Sequence, residues 1–235
     1  MVARRARGEP LAWVVGSTQF CGMRIAIEPG VFVPRPQSEA LALRAVELLP
    51  ADGVAVDLCT GCGAIAAVLR ARRPEATILG TELDPAAVSC ARRNGVDARA
   101  GDLDEPLPAE LRSRVDVVTA VVPYVPTEEL QLLPSDVRAF EPRVALDGGA
   151  GGLTVLGRAA EAAVVWLRRG GWAIFELGGD QAPRMREVFA RLGFDDVRVY
   201  RDEDGLDRAI EARSPRRAEG QVEVATASVS ASRAR

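Results

Sequence analysis

Three acids stand at the ends of three consecutive apolar runs, and the first run opens into a glycine loop. Residues 55–64 read A V D L C T G C G A, with Asp57 closing the run, Gly61 and Gly63 in the loop, and a helical pattern from Ile65 to Arg73 behind it. Gly61 and Gly63 lack Cβ, so the chain can turn with positive φ and a ligand can lie against bare backbone N–H groups at the helix start. Asp57, at the strand tip, is placed to fix that loop. Ala76 to Thr81 is a second apolar run, and Glu82 follows it. An acid about 20 residues past such glycines is where a carboxylate holds the two hydroxyls of a ribose. Val96 to Ala100 can make a third short strand, and Gly101, Asp102 and Leu103 after it offer an acid and an apolar side chain to bracket an adenine. A single glycine loop is explained by a tight turn, and a single acid by a solvated loop or a helix cap. Three strand tips together point to a nucleotide-type pocket.

The remaining chemistry is bounded by what the chain contains. Histidine is absent and no lysine occurs, so all 30 cationic side chains are arginine. Reactive groups must come from carboxylates, tyrosine, cysteine or the backbone. Cys21, Cys59, Cys62 and Cys90 are the four thiols. Cys59 and Cys62 form a C-x-x-C, which reads either as a redox pair or half a zinc site, or as small side chains in a crowded turn. No second C-x-x-C or histidine completes a metal site, so no metal is expected. Val115 to Val122 is a β-branched run that ends in Pro123, Tyr124, Val125 and Pro126. Two prolines stop the ladder and leave a rigid loop at a strand's C-terminal end, where ligands sit in open α/β sheets. Tyr124 is there either a ligand contact or a wedge between loops. Arg35 and Glu39 sit beside where the glycine loop would open, as site residues or as a surface ion pair.

The elements that must position these groups follow from punctuation and period. The 235 residues are 48% hydrophobic and 27% charged, enough for one large domain with a full core. A net charge of −3 and 5% aromatics argue against a general nucleic-acid or membrane binder. No apolar run approaches about 18 residues and no signal-peptide pattern follows Met1, so a soluble, cytoplasmic chain is expected. Met1 to Arg7 is basic and reads as frayed. Thr18 to Phe20 and Arg24 to Ile27 read as an antiparallel hairpin. An extended F V P R P Q S E A leads into a helix from about Gln37 to Leu49, and Asp84 and Pro85 cap a helix reaching about Asn94. Val115 to Val122 is the buried central strand. Leu153 to Arg168 is a helix, Gly170 and Gly171 a stop, Trp172 to Leu177 a strand, and Gln181 to Leu192 a helix. Val197 to Tyr200 and Leu206 to Ala212 close the sheet as an antiparallel pair. Arg213 to Arg235, without aromatics and rich in Ala, Ser and Arg, reads as a disordered tail. Five strands alternating with helices and a final hairpin predict an α/β fold, a doubly wound, mostly parallel seven-stranded sheet with ligands along its C-terminal edge.

The glycine spacing is C-x-G-x-G, with Ala66 where a dinucleotide fingerprint G-x-G-x-x-G wants its last glycine. From about Gly8 to Ala212 the chain instead resembles the class I S-adenosylmethionine methyltransferases with a Rossmann-like sheet, and among them the protein N5-glutamine methyltransferases that modify peptide chain release factors. The resemblance is carried by V F V P R P Q S E, V D L C T G C G A I, E L D P A A V, G D L, V P Y V P and E P R V A L D G G A G G L, in that order. It implies an arm and hairpin over residues 1–35, a methyltransferase domain over 36–212 and a tail over 213–235. It implies S-adenosyl-L-methionine as cofactor, held by Asp57 and the loop Cys59, Thr60, Gly61, Cys62 and Gly63 at the methionine end. Glu82 with Leu83 would take the ribose, and Asp102 with Leu103 the adenine. Val121, Val122, Pro123 and Tyr124 fall on the acceptor motif, and Arg35, Glu39 and Glu141 are candidates for binding substrate.

Two departures stand out. The family's acceptor motif begins with Asn, whose side chain and the next backbone carbonyl accept the two amide hydrogens of the glutamine. Here that position is Val121, which accepts none. An amide nitrogen is a poor nucleophile, so positioning is most of the catalysis. Losing one of two such contacts would cost on the order of 3 kcal/mol, roughly a hundredfold in rate. The family also usually carries a helical domain ahead of the hairpin that grips its protein substrate, where this sequence has a few residues, so a changed partner is one expectation. Three readings follow: a glutamine N5 methyltransferase shaped by Pro123, Tyr124 and the Val122 carbonyl; a methyltransferase for a small-molecule acceptor with Glu39, Glu141 or Tyr124 as base; or a non-catalytic, cofactor-binding scaffold.

Overall fold

The computed structural model describes residues 1–215. Its centre is β3 (Val54–Leu58) beside β6 (Val115–Ala120), runs of β-branched and small residues that suit strands covered on both faces. β4 (Thr77–Glu82) and β5 (Asp97–Ala100) extend the sheet on one side. β7 (Leu167–Glu176), β9 (Asp207–Arg213) and β8 (Asp195–Arg201) extend it on the other, giving the order β5-β4-β3-β6-β7-β9-β8. The first five strands are parallel, and β9 runs antiparallel to both β7 and β8. This is the expected seven-stranded sheet. Strand order reverses between β3 and β6, and a crevice must open at their carboxyl ends.

Helices cover both faces. α3 (Ser38–Leu48), α4 (Ala64–Arg72) and α5 (Pro85–Arg93) pack one core, while α7 (Thr154–Trp166) and α8 (Ala182–Arg191) pack the other. Asp84 caps α5 as expected, its side chain accepting the Ala86 N–H. A separate hairpin, β1 (Ser17–Phe20) and β2 (Met23–Ala26), lies on the α3–α5 side. Its turn is Cys21–Gly22, both at positive φ, which matches strand twist; β1 begins one residue earlier than read from sequence and ends as read, and β2 lies one residue earlier throughout.

Several expectations are corrected. The basic start is not frayed: α1 (Val2–Ala6) forms, Arg4 pairs with Glu9, and α2 (Leu11–Val15) follows with Trp13 buried and its Nε1–H donating to the Val31 carbonyl at 2.9 Å. Loose alternation hid that one-turn helix. A further short helix, α6 (Ser135–Phe140), precedes the second glycine cluster. α7 stops at Trp166, and Gly170–Gly171 is no stop but a kink inside β7, where Gly170 takes φ 73 and the register to β6 shifts. β6 ends at Ala120, two residues short of the expected end, which releases Val121 and Val122 from the ladder. β9 reaches Arg213, and the Ser214 N–H donates to the Gly171 carbonyl at 2.7 Å, so the sheet runs past the expected start of the tail. Most of that expected tail, 216–235, lies outside the described residues. Among the described residues no helix is long and apolar enough to cross a membrane.

Candidate active site

The glycine loop is built from beneath by Asp57. Its carboxylate, 1% exposed, accepts the Thr60 hydroxyl at 2.6 Å and the Thr119 hydroxyl at 2.7 Å, which joins the loop to β3 and β6. Burial pushes its pKa up to about 6, against the two hydroxyl donors. The Thr60 N–H donates to the Thr81 carbonyl at 2.9 Å, fastening the loop to β4 as well. Gly63 caps α4 at φ 81, and a Cβ there would meet the Val96 side chain at 2.9 Å, so glycine is required for turn and contact alike.

Above the loop lies a cavity of about 510 Å³. Cys59, Gly61, Glu82, Leu83, Asp102 and Leu103 all line it, so six of the ten expected cofactor residues converge. Glu82 Oε2 accepts the Gly61 N–H at 2.9 Å and Oε1 accepts the Asp84 N–H at 3.0 Å, which aims the carboxylate and leaves lone pairs over. Burial, first of all, raises its pKa. The Asp102 carboxylate is met by Arg158 from α7 at 2.8 Å. Thr81 Oγ1, wholly buried in the same wall, is the single buried side-chain polar atom without a hydrogen-bond partner among the described residues. Asp57, Thr60 and Cys62 lie on the far side of the loop around a gap of about 40 Å³, and Gly63 lines neither space. Burial pushes the Cys62 thiol up to about 12 and the Cys59 thiol further. Neither is a thiolate near neutrality, which weighs against the redox reading.

The expected acceptor motif, Val121 to Tyr124, contributes Val121 and Pro123 to the same cavity. Val121 lines the main cavity, the small gap and a third space of about 380 Å³, so all three border on this one side chain. Pro123 faces the main cavity and Tyr124 the third, while the Val122 side chain is buried and its carbonyl accepts no hydrogen bond from the described residues. Tyr124 is held at every end. Its hydroxyl donates to Glu176 Oε1 at 2.9 Å, and the Ser38 hydroxyl donates to the other oxygen of that buried carboxylate. Gln181 Nε2 donates to the Tyr124 carbonyl at 2.7 Å and to the Gly151 carbonyl at 3.2 Å. A Cβ at Gly152, which has φ 68, would collide with the Tyr124 carbonyl oxygen, so the second glycine cluster lets its loop close on this motif.

The basic alternatives fail on this geometry. Burial and the neighbouring Glu176 raise the Tyr124 pKa, and its proton stays on the hydroxyl. Glu141 is nearly enclosed, both oxygens accepting from Arg35 Nη2 at 2.7 and 2.8 Å. Arg35 therefore pairs with Glu141 rather than Glu39, and stacks 4.8 Å over the Phe32 ring. Arg35 lines the third space, whereas Glu141 faces a groove beside α2 and Glu39 lines none of these cavities. Sequence reasoning missed Phe32, Arg158, Ser38, Glu176 and Gln181. Glu176 carried the signal already used for Asp57 and Glu82, an acid closing an apolar run.

A doubly wound sheet of this order, with acids at the tips of β3, β4 and β5 around a glycine loop, defines a class I methyltransferase. The family model for a methyltransferase small domain matches residues 22–110. A release factor glutamine methyltransferase of Geobacter sulfurreducens is 37% identical over 219 residues, 91% of this chain and 76% of that protein. One of Mycolicibacterium smegmatis is 39% identical, over 90% of this chain and 77% of that protein. Among solved structures, an E. cuniculi complex described as responsible for methylation of the eRF1 translation termination factor aligns at 25% identity. It covers 78% of this chain and 98% of that one with a TM-score of 0.54. The chain belongs to the release factor glutamine methyltransferase family and is an enzyme of the methyltransferase type. The small-molecule and scaffold readings gain no support from these relatives.

Proposed function

We propose that this chain transfers a methyl group from S-adenosylmethionine to the side-chain amide nitrogen of a glutamine in a peptide chain release factor. The observation that carries the reading is that Val121 borders both the main cavity and the space lined by Val122 and Tyr124. The cofactor site is supported by its donor set: Glu82 keeps lone pairs for a ribose diol, Asp102 and Leu103 flank the far end, and Thr81 offers an unspent hydroxyl. The acids also suit a ligand that carries a positive sulfur.

When bound, S-adenosylmethionine supplies a methyl group activated by its sulfonium. The chain's residues supply position. An amide lone pair is delocalised, and orientation is what makes it attack; the N–CH3 bond would form as the S–CH3 bond breaks with its electrons left on sulfur, and the methylated amide would shed its surplus proton to solvent. The Val122 carbonyl accepts one amide hydrogen and draws electron density toward the nitrogen. Pro123 and the clamped Tyr124 ring hold the amide plane and exclude water. Val121 leaves the second amide hydrogen without the contact that an Asn would give.

Two measurements test this. Calorimetric titration with S-adenosylmethionine should give binding that Glu82→Ala weakens by about 2 kcal/mol or more, the loss of charge-assisted hydrogen bonds to the ribose. Methyl transfer to a release-factor fragment should rise in Val121→Asn, by up to about a hundredfold where no other side chain takes that hydrogen, the size of one transition-state contact. No cofactor binding at millimolar concentration, or no methylated glutamine from either protein, would overturn the proposal.

A further inference from the structure

Resting on that reading, we propose that Gln37 supplies the hydrogen-bond partner that Val121 cannot, and so orients the acceptor carboxamide. The space of about 380 Å³ beside Val121 and Val122 carries only three polar side chains in its wall: Arg35, Gln37 and Tyr124. Two are spent. Arg35 has no acceptor atom and is bound to Glu141, and the Tyr124 hydroxyl donates to Glu176. Gln37 is exposed at the N-cap of α3 and makes no capping bond, and its amide has no partner among the described residues. Among the described residues it is the one side chain in that wall with both a donor and an acceptor unengaged.

Its placement is fixed by the same carboxylate that fixes Tyr124. Ser38, the next residue, donates to one oxygen of Glu176 while Tyr124 donates to the other. The backbone at Gln37 and the acceptor motif are thus tied to one buried group, in walls of otherwise apolar residues such as Phe32, Val125 and Leu146. A carboxamide complements a carboxamide: Gln37 Oε1 accepts one N–H of the acceptor amide, and its Nε2–H donates to the acceptor carbonyl. The Val122 carbonyl takes the other N–H. The acceptor class this selects is a primary amide, since a carboxylate has no proton to offer the Val122 carbonyl.

The test uses the full chain, S-adenosylmethionine and a glutamine peptide from a release factor. Gln37→Leu, which keeps size and removes both polar atoms, should lower kcat/KM about 30-fold, and Gln37→Glu, which keeps an acceptor, should lose less. In a Val121→Asn background the same Gln37→Leu change should cost under about threefold, because the two residues then serve the same hydrogen. Cofactor affinity by calorimetry should stay within about twofold of the parent in each Gln37 variant. An active parent whose Gln37→Leu variant matches it, or loses as much in the Val121→Asn background, overturns this inference and leaves the glutamine reading standing. A parent that neither methylates nor, by calorimetry in the presence of the demethylated cofactor, binds the peptide overturns both.

Discussion

Asp57 is a buried acid whose work is mechanical. It receives two threonine hydroxyls and never reaches the main cavity. Its folded-state pKa, about 6, lies above the ordinary value of 3.8, because burial penalises the charge more than the hydroxyls repay. The native state therefore holds the proton more tightly than the unfolded chain. The resulting stabilisation is complete below the ordinary value and is lost as pH rises through about 6. At about 1.4 kcal/mol per pKa unit, the swing is about 3 kcal/mol. Asp57→Asn should flatten that part of the curve of melting temperature against pH between about 4 and 6. A variant whose curve keeps the parent's slope there would show that another group sets it.

Loops, more than strands, bring the acceptor motif to its place. The segment Gly148–Gly152 closes on Pro123 and Tyr124, and a Cβ on Gly148 would stand 2.7 Å from the Pro123 carbonyl oxygen. Gly152 is stricter, with positive φ and the Tyr124 carbonyl in the way. Gly152→Ala should destabilise the chain by about 2–4 kcal/mol, strain at a left-handed backbone added to a forced shift of Tyr124. Denaturant unfolding would read that loss. A midpoint shift under about 0.5 kcal/mol would mean the loop yields freely. The mirror case is Asn94, just past α5, whose side chain bonds Ala26 on both its N–H and carbonyl and also the Cys62 carbonyl. That one amide joins the hairpin to the glycine loop.

Across the whole molecule, the sheet is tied to its front by a buried charge. Glu211 on β9 is fully buried and is met by Arg44 of α3 at 2.8 and 3.2 Å, with Arg198 of β8 at 3.6 Å. Removing one partner leaves a charge in a poor solvent, so Arg44→Met should cost about 3 kcal/mol, while Arg44→Met with Glu211→Leu should recover most of it. Chemical denaturation of both variants checks this. Equal losses in the single and double variants would mean that packing of the arginine stem, not charge, is what is lost.

Local and periodic features were legible along the chain. Alternation of apolar runs with helical patterns specified every strand of the sheet, because burial on two faces leaves few residue types to choose from. Gly61, with Glu82 and Asp102 at the strand ends, made one wall of the main cavity legible, since one sheet edge collects all strand ends of one direction. Short helices such as α2 escaped, being too brief to display a period. Partners distant in the chain came from packing alone: Arg35 with Glu141 instead of Glu39, Glu176 beneath both Ser38 and Tyr124, Arg158 on Asp102. Hydrogen bonds of that kind depend on angle and on fractions of an ångström between elements that only the packed core brings together, and no spacing along the chain encodes them.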